Sequence, residues 1–144
     1  MSVKVIVVSH GKFAEGIVNS VQMLAGEQED LVAYGLAPEE TVDDLRARLQ
    51  KELEKTPEGT EVLFFTDLYH GSPFNTVVDL MRDFSFYHLT GINLPLLLLG
   101  VMDRYDDMSA DEICRNLMEE AAGTIKYVND MFDADADDDD EEDE

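Results

Sequence analysis

The chain has 144 residues, with 10 Lys and Arg against 33 Asp and Glu, for a formal charge of −23. Ten of those acids crowd into Asp133–Glu144, but the rest of the chain is acidic too and shows no basic stripe, which excludes non-specific nucleic-acid binding and attraction to an anionic membrane surface. A single cysteine, Cys114, excludes a disulfide framework, and the apolar run Leu94–Leu99 is far short of the roughly 20 residues a membrane span needs.

The start, MSVKVIVVSHG, runs into a polar loop rather than a small-residue cleavage site, so a cytoplasmic protein is expected. One domain over residues 1–130 and a solvated acidic tail over 131–144 account for the whole length. Asp133, Asp135, Asp137 and Glu144 imitate calcium-loop spacing, but Asp138 stands where the turn needs glycine and no second helix follows.

Val3–Val8 is a β-branched run too short for a helix and suited to a strand buried on both faces. After the loop Ser9–Lys12, the apolar residues Ala14, Ile17, Val18, Val21, Leu24 and Ala25 recur at helical spacing. Leu31–Leu36 reads as a second strand. A helix with Val42, Leu45, Leu49 and Leu53 inward follows, with Thr41 as N-cap and Asp43 and Asp44 in its first turn. Glu61–Thr66 supplies a third strand beyond the Pro57-Glu58-Gly59 break.

The loop Asp67–Ser72 then opens a helix with Ser72 as N-cap, Pro73 at its first position, and Phe74, Val77, Val78, Met81 and Phe84 inward. Phe86–Ile92 is a weaker fourth strand, and Asn93 with Pro95 starts another helix. Ser109 caps a last helix with Ile113, Cys114, Leu117, Met118 and Ala121 inward, and Thr124–Val128 reads as a short final strand.

Strands alternating with helices predict an α/β, doubly wound, mainly parallel sheet covered on both faces. In such sheets a site lies beyond the carboxyl ends of the strands, where strand order reverses. With strand one between strands two and three, His10 after the first strand and Asp67 after the third become neighbours. A carboxylate accepting from one ring nitrogen fixes the tautomer and leaves the other free as a nucleophile. Gly71 and Ser72 at a helix start offer N–H groups and a hydroxyl to an anion.

His70 could border this site, whereas His88 falls on the fourth strand without a chemical role. A metal on His10, Asp67 and His70 is a weaker reading. No Walker or dinucleotide-binding glycine motif occurs, Ser72 lacks the setting of a hydrolase nucleophile, and Cys114 on a helix's inner face excludes a cysteine phosphatase.

Three spaced motifs carry a resemblance. Ser9-His10-Gly11 with Phe13-Ala14-Glu15-Gly16, Phe65-Thr66-Asp67 leading to Gly71-Ser72-Pro73-Phe74-Asn75, and Thr90-Gly91-Ile92-Asn93-Leu94-Pro95 resemble the mannose-family enzyme IIA of the bacterial sugar phosphotransferase system. The resemblance covers roughly residues 3–130. It implies that His10 is phosphorylated by phospho-HPr and passes the group to a histidine of the IIB component, that Asp67 orients His10, and that Ser72 and Gly71 bind the phosphoryl group.

The same resemblance implies no cofactor or metal, indirect service to the IIC and IID membrane components, and a homodimer in which the final strand, with Ile125, Tyr127 and Val128, is exchanged. His70-Gly71 departs from the Gly-Gly that the family often has there. Alternatives are a regulatory module that senses phosphorylation and a carrier of the dihydroxyacetone-kinase type. The sugar is not legible, because in this family the membrane components select it.

Overall fold

Along the first strand Val3, Val5 and Val7 point to one side and Ile6 and Val8 to the other, and all five are buried. A strand apolar on both faces must lie inside a covered sheet. The computed structural model, which describes residues 2–132, places it there. β1 (Val3–His10) lies between β2 (Leu31–Leu36) and β3 (Glu61–Thr66), with β4 (Tyr87–Thr90) beyond β3. All the pairings are parallel, and the order is β2-β1-β3-β4.

Helices α1 (Phe13–Ala25), α4 (Leu94–Asp103) and α5 (Ala110–Glu120) cover the face that carries Val5, Val7, Leu63 and Phe65. Helices α2 (Val42–Glu54) and α3 (Ser72–Leu80) cover the other, against Ile6, Val8, Val62 and Phe64. The doubly wound α/β architecture expected from the sequence is therefore present.

The helix starts follow local chemistry. Thr41 caps α2 and Ser109 caps α5, each in a reciprocal box with Asp44 or Glu112, and Asn93 accepts from the Leu96 N–H at the start of α4.

Other expectations need correction. The inner face of α3 is Pro73, Thr76, Val77 and Leu80, while Val78 and Met81 are exposed. A threonine can occupy that face because its hydroxyl is satisfied within the helix, by the Ser72 carbonyl at 2.7 Å. Leu24 and Met118 also face outward, at the ends of stripes that are buried only in part.

Thr124–Val128 is not a strand. Ala121–Thr124 is a 3-10 turn, and residues 128–132 are helical. A lone strand needs a sheet edge to pair with, and in the single chain this segment pairs with neither β2 nor β4. Thr124 is instead tied to Asn93 by a 2.9 Å side-chain bond. The acidic stretch Asp133–Glu144 lies outside the described residues.

One charged cluster is buried between the sheet and α2. Lys4 of β1 pairs with Glu52 of α2, whose side chain is 2% exposed. Glu52 also accepts from the Tyr34 hydroxyl at 2.6 Å and from Lys55 at 3.3 Å. Burial alone would raise the Glu52 carboxyl, but the hydrogen bonds from Lys4 and Tyr34 outweigh it and hold it below its ordinary value. Burial, then the bond to Glu52, pushes the Tyr34 phenol up to about 12.

Glu52→Gln leaves the Lys4 ammonium buried without its counter-charge, a loss of about 3–5 kcal/mol by analogy with other broken buried pairs. Urea midpoints at neutral pH should show it. The Glu52 carboxyl lies below 4.5 in the fold, so its contribution is complete above that pH and fades as pH falls through the lowered value. The gap between wild type and variant should accordingly shrink in acid.

Candidate functional site

The parallel register sets Val8 beside Thr66, which brings His10 and Asp67, each just past that pair, to the same end of the sheet. The turn after β1 is held from three sides. Buried Ser9 donates to the His10 carbonyl at 3.0 Å and accepts the Ala14 N–H at 2.7 Å, tying the strand end to the first turn of α1. Gly11, at φ +52°, donates its N–H to the Leu36 carbonyl at 2.8 Å. Its own carbonyl packs so closely on Gly35 of β2 that a Cβ there would come within 1.9 Å of the oxygen. Arg48 of α2 in turn donates to the Gly35 carbonyl at 2.9 Å.

Within this frame, one oxygen of Asp67 accepts twice from His10. Oδ2 lies 2.9 Å from the main-chain nitrogen and 2.8 Å from Nδ1 of the ring. The other oxygen, Oδ1, accepts the Leu68 N–H at 3.1 Å. With Nδ1 donating, Nε2 carries the lone pair. The His10 side chain is half exposed while that of Asp67 is only 11% exposed, so the carboxylate is enclosed and the nucleophilic edge is open.

Nε2 faces the start of α3. Gly71 takes φ +91°, and a Cβ at this position would lie 3.4 Å from Nε2 and 3.1 Å from Cε1. Its missing side chain leaves room for a group bonded to the ring nitrogen. Gly71 also corrects the expected capping. It is the residue before the helix, Ser72 is already helical, and no side chain caps α3. The backbone conformation at residue 71 favours glycine, which shifts the cap one residue earlier and frees the Ser72 hydroxyl from that duty. The helix therefore presents uncapped N–H groups and the positive end of its dipole to the site.

His70 sits in the left-handed region at φ +73° and stacks on Tyr69, with ring centroids 3.7 Å apart. The ring of Phe74, in the first turn of α3, lies 5.9 Å from His70 and 5.2 Å from His88. His88 is half buried on β4, its Nε2 is 2.8 Å from the Thr66 hydroxyl, and burial pushes its pKa down to about 4. His10, Asp67 and His70 do not assemble into a metal cage, and among the described residues no three His, Cys, Asp or Glu stand so as to hold a metal.

Sequence reasoning thus located His10, Asp67, Gly71 and Ser72 at one place but passed over Ser9, Gly35 and the Thr66–His88 bond. A buried serine ending an apolar run was the available signal for Ser9.

This geometry can be set beside known proteins. The family model described as PTS system fructose IIA component matches residues 4–118, a stretch that includes all four of those residues. A sorbose-specific EIIA component from Klebsiella pneumoniae is 33% identical over 110 residues, covering 76% of this chain and 79% of that protein. The mannose-specific EIIAB component of Escherichia coli K12 is 32% identical over 89% of this chain, which spans only 40% of that relative's length. Among solved structures, an EIIA from Streptococcus agalactiae superposes with a TM-score of 0.80 at 29% identity, covering 88% of this chain and 98% of that one. By sequence and by fold, the chain belongs to the mannose/fructose-type enzyme IIA family of the phosphotransferase system.

Proposed function

We propose that this chain is a phosphocarrier that accepts a phosphoryl group on Nε2 of His10 from phospho-HPr and delivers it to a histidine of a IIB component, in the service of sugar uptake through membrane partners. The observation that carries the reading is the Nδ1-to-Asp67 contact of 2.8 Å, with Nε2 open toward the uncapped end of α3. As the new N–P bond forms on Nε2, the N–P bond of the donor breaks and its ring keeps the electron pair. Nδ1 of His10 retains its proton throughout. The ring turns cationic as Nε2 is phosphorylated, and Asp67 offsets that charge.

The phosphoryl oxygens then lie against the first N–H groups of α3, with the Ser72 hydroxyl at the same helix start. Positioning and electrostatics are the main contributions a protein makes to phosphoryl transfer, and this site contains the parts for both. In the second half-reaction His10 leaves as a neutral ring, which Nδ1–H makes a competent leaving group. A cytoplasmic location fits this role, and no helix among the described residues is long and apolar enough to cross a membrane.

We also propose that the working form is a homodimer. Ile125, Tyr127, Val128, Met131 and Phe132 are all at least 45% exposed within eight residues, and the outer edge of β4 has no strand beside it among the described residues. A cluster of exposed apolar side chains and an unpaired sheet edge each suit pairing with a second copy.

His10→Ala should abolish acid-labile labelling by phospho-HPr, while substitutions at His70 should leave labelling in place; label persisting without His10 would refute the mechanism. Asp67→Asn should fold normally and slow transfer roughly ten- to hundredfold, the worth of a charge-assisted hydrogen bond of about 1.5–3 kcal/mol. Rapid-quench labelling measures that rate, and an unchanged value would reduce Asp67 to a turn residue. In light scattering at micromolar concentration the full chain should have twice the 16.2 kDa mass of one copy. Removing residues 133–144 should leave that mass ratio intact, whereas truncation before Thr124 should yield monomer or unstable protein.

A further inference from the structure

Asp67 and Gly71 flank His10 from two different elements, the end of β3 and the start of α3. Their separation decides whether the ring is both oriented and given room, and the loop joining them contains His70 in a left-handed conformation. Such a loop needs an external brace. We infer that His88 is a positioning residue for phosphoryl transfer, bracing the end of β3 against the first turn of α3 and so fixing the spacing of Asp67 and Gly71 around His10. The inference rests on the reading of His10 as the phosphoryl acceptor.

The brace has two arms. One is the 2.8 Å contact from Nε2 of His88 to the hydroxyl of Thr66, the residue immediately before Asp67. Thr66 is fully buried and donates its hydroxyl proton to Thr90 at 2.7 Å, so it can only accept from His88, and the His88 ring must carry its proton on Nε2. The Thr66 carbonyl is engaged as well, accepting from Gly91 and Ile92 at 3.1 and 3.4 Å, which leaves the residue little freedom. The other arm is the tilted contact of the His88 ring with Phe74, at 5.2 Å between ring centroids.

Phe74 lies two residues after Ser72 and carries Tyr69 on its edge at 5.2 Å. His88 therefore touches, directly or through one ring, both ends of the loop between Asp67 and Gly71. Burial, which pushes its pKa down to about 4, keeps the ring neutral at cellular pH.

Two substitutions break the same arm from opposite ends. His88→Phe keeps a ring for Phe74 and removes the donor, while Thr66→Val removes the acceptor with little change of shape. Each should slow His10 phosphorylation at saturating phospho-HPr by about ten- to hundredfold, the scale on which small misplacements act. The donor concentration for half-maximal rate should stay unchanged, since Thr66 is fully buried and His88 is half buried. Nitrogen-15 spectra of the unphosphorylated protein should show the His10 ring moving from the Nδ1–H form toward a tautomer mixture. The double variant should be no slower than the worse single one, as expected for partners in one contact.

Single variants that match wild type in rate and in ring spectrum would overturn the inference, as would effects that multiply in the double variant. Should His88→Phe not fold, Thr66→Val and His88→Gln decide by the same two readouts, with His88→Gln expected between wild type and Thr66→Val. A wild-type protein that takes no label from phospho-HPr would instead sink the carrier reading, and the ring spectra would still judge the brace.

Discussion

A single carboxylate oxygen of Asp67 takes both the main-chain N–H and the Nδ1–H of His10. Two donors on one acceptor fix the ring torsion and the tautomer together, which neither contact could do alone. The arrangement leaves the Asp67 carboxylate almost enclosed, and three N–H groups, counting that of Leu68, replace the water it loses. Hydrogen bonds to a charged group contribute about 1.5–3 kcal/mol each, enough to offset that desolvation. The rest of the fold delivers these two residues to one place and keeps them there.

That delivery follows from the parallel sheet. β1 and β3 are neighbours although 50 residues of chain lie between the end of β1 and the start of β3, because the chain crosses to β2 on one side and returns past β1 to the other. The crevice at this reversal is where the carboxyl ends of strands leave room for a ligand. β2 contributes a seat rather than a functional group. The contact of Gly35 with the Gly11 carbonyl allows the turn after His10 to fold flat against the strand, and Arg48 holds that strand end from outside. The chain's large negative charge is not what makes the site. The positive end of a helix near His10 comes from the backbone of α3, whose first turn has no side-chain cap.

Two sets of polar groups inside this molecule do different work. Lys4, Tyr34 and Glu52 lie between the sheet and α2 and bind sheet to helix through a largely buried charge pair, with the exposed Lys55 reaching Glu52 from the end of the helix. Thr66, His88 and Thr90 lie between β3 and β4 directly beneath the Asp67 loop, carry no charge at neutral pH, and join the sheet to the ring of Phe74. The first set stands away from the chemistry, while the second adjoins the residues that frame it.

Much of this was legible in the chain alone. β2 and β3 begin and end at the residues their apolar patterns indicate, and Thr41, Asn93 and Ser109 cap the helices they precede, because strand alternation and capping act over a few residues and leave a local trace. His10 and Asp67 were legible for a related reason: each ends a buried strand, and the topology of an alternating chain brings such ends together. The inner face of α3, the role of Gly71 as its cap, the fit of Gly35 under Gly11 and the His88–Thr66 bond were not. Each depends on atoms from elements many residues apart, and Thr76 or His88 looks misplaced on an inner face until its hydrogen-bond partner is known. The final segment shows the limit most plainly, since residues 124–128 have a pattern a strand could use, but a strand exists only where an edge is offered to it. Local propensity determined which elements this chain builds and which residues end them, and the tertiary structure alone decided which faces and polar groups meet, because those contacts are made across space by parts of the chain that leave no mark on one another's sequence.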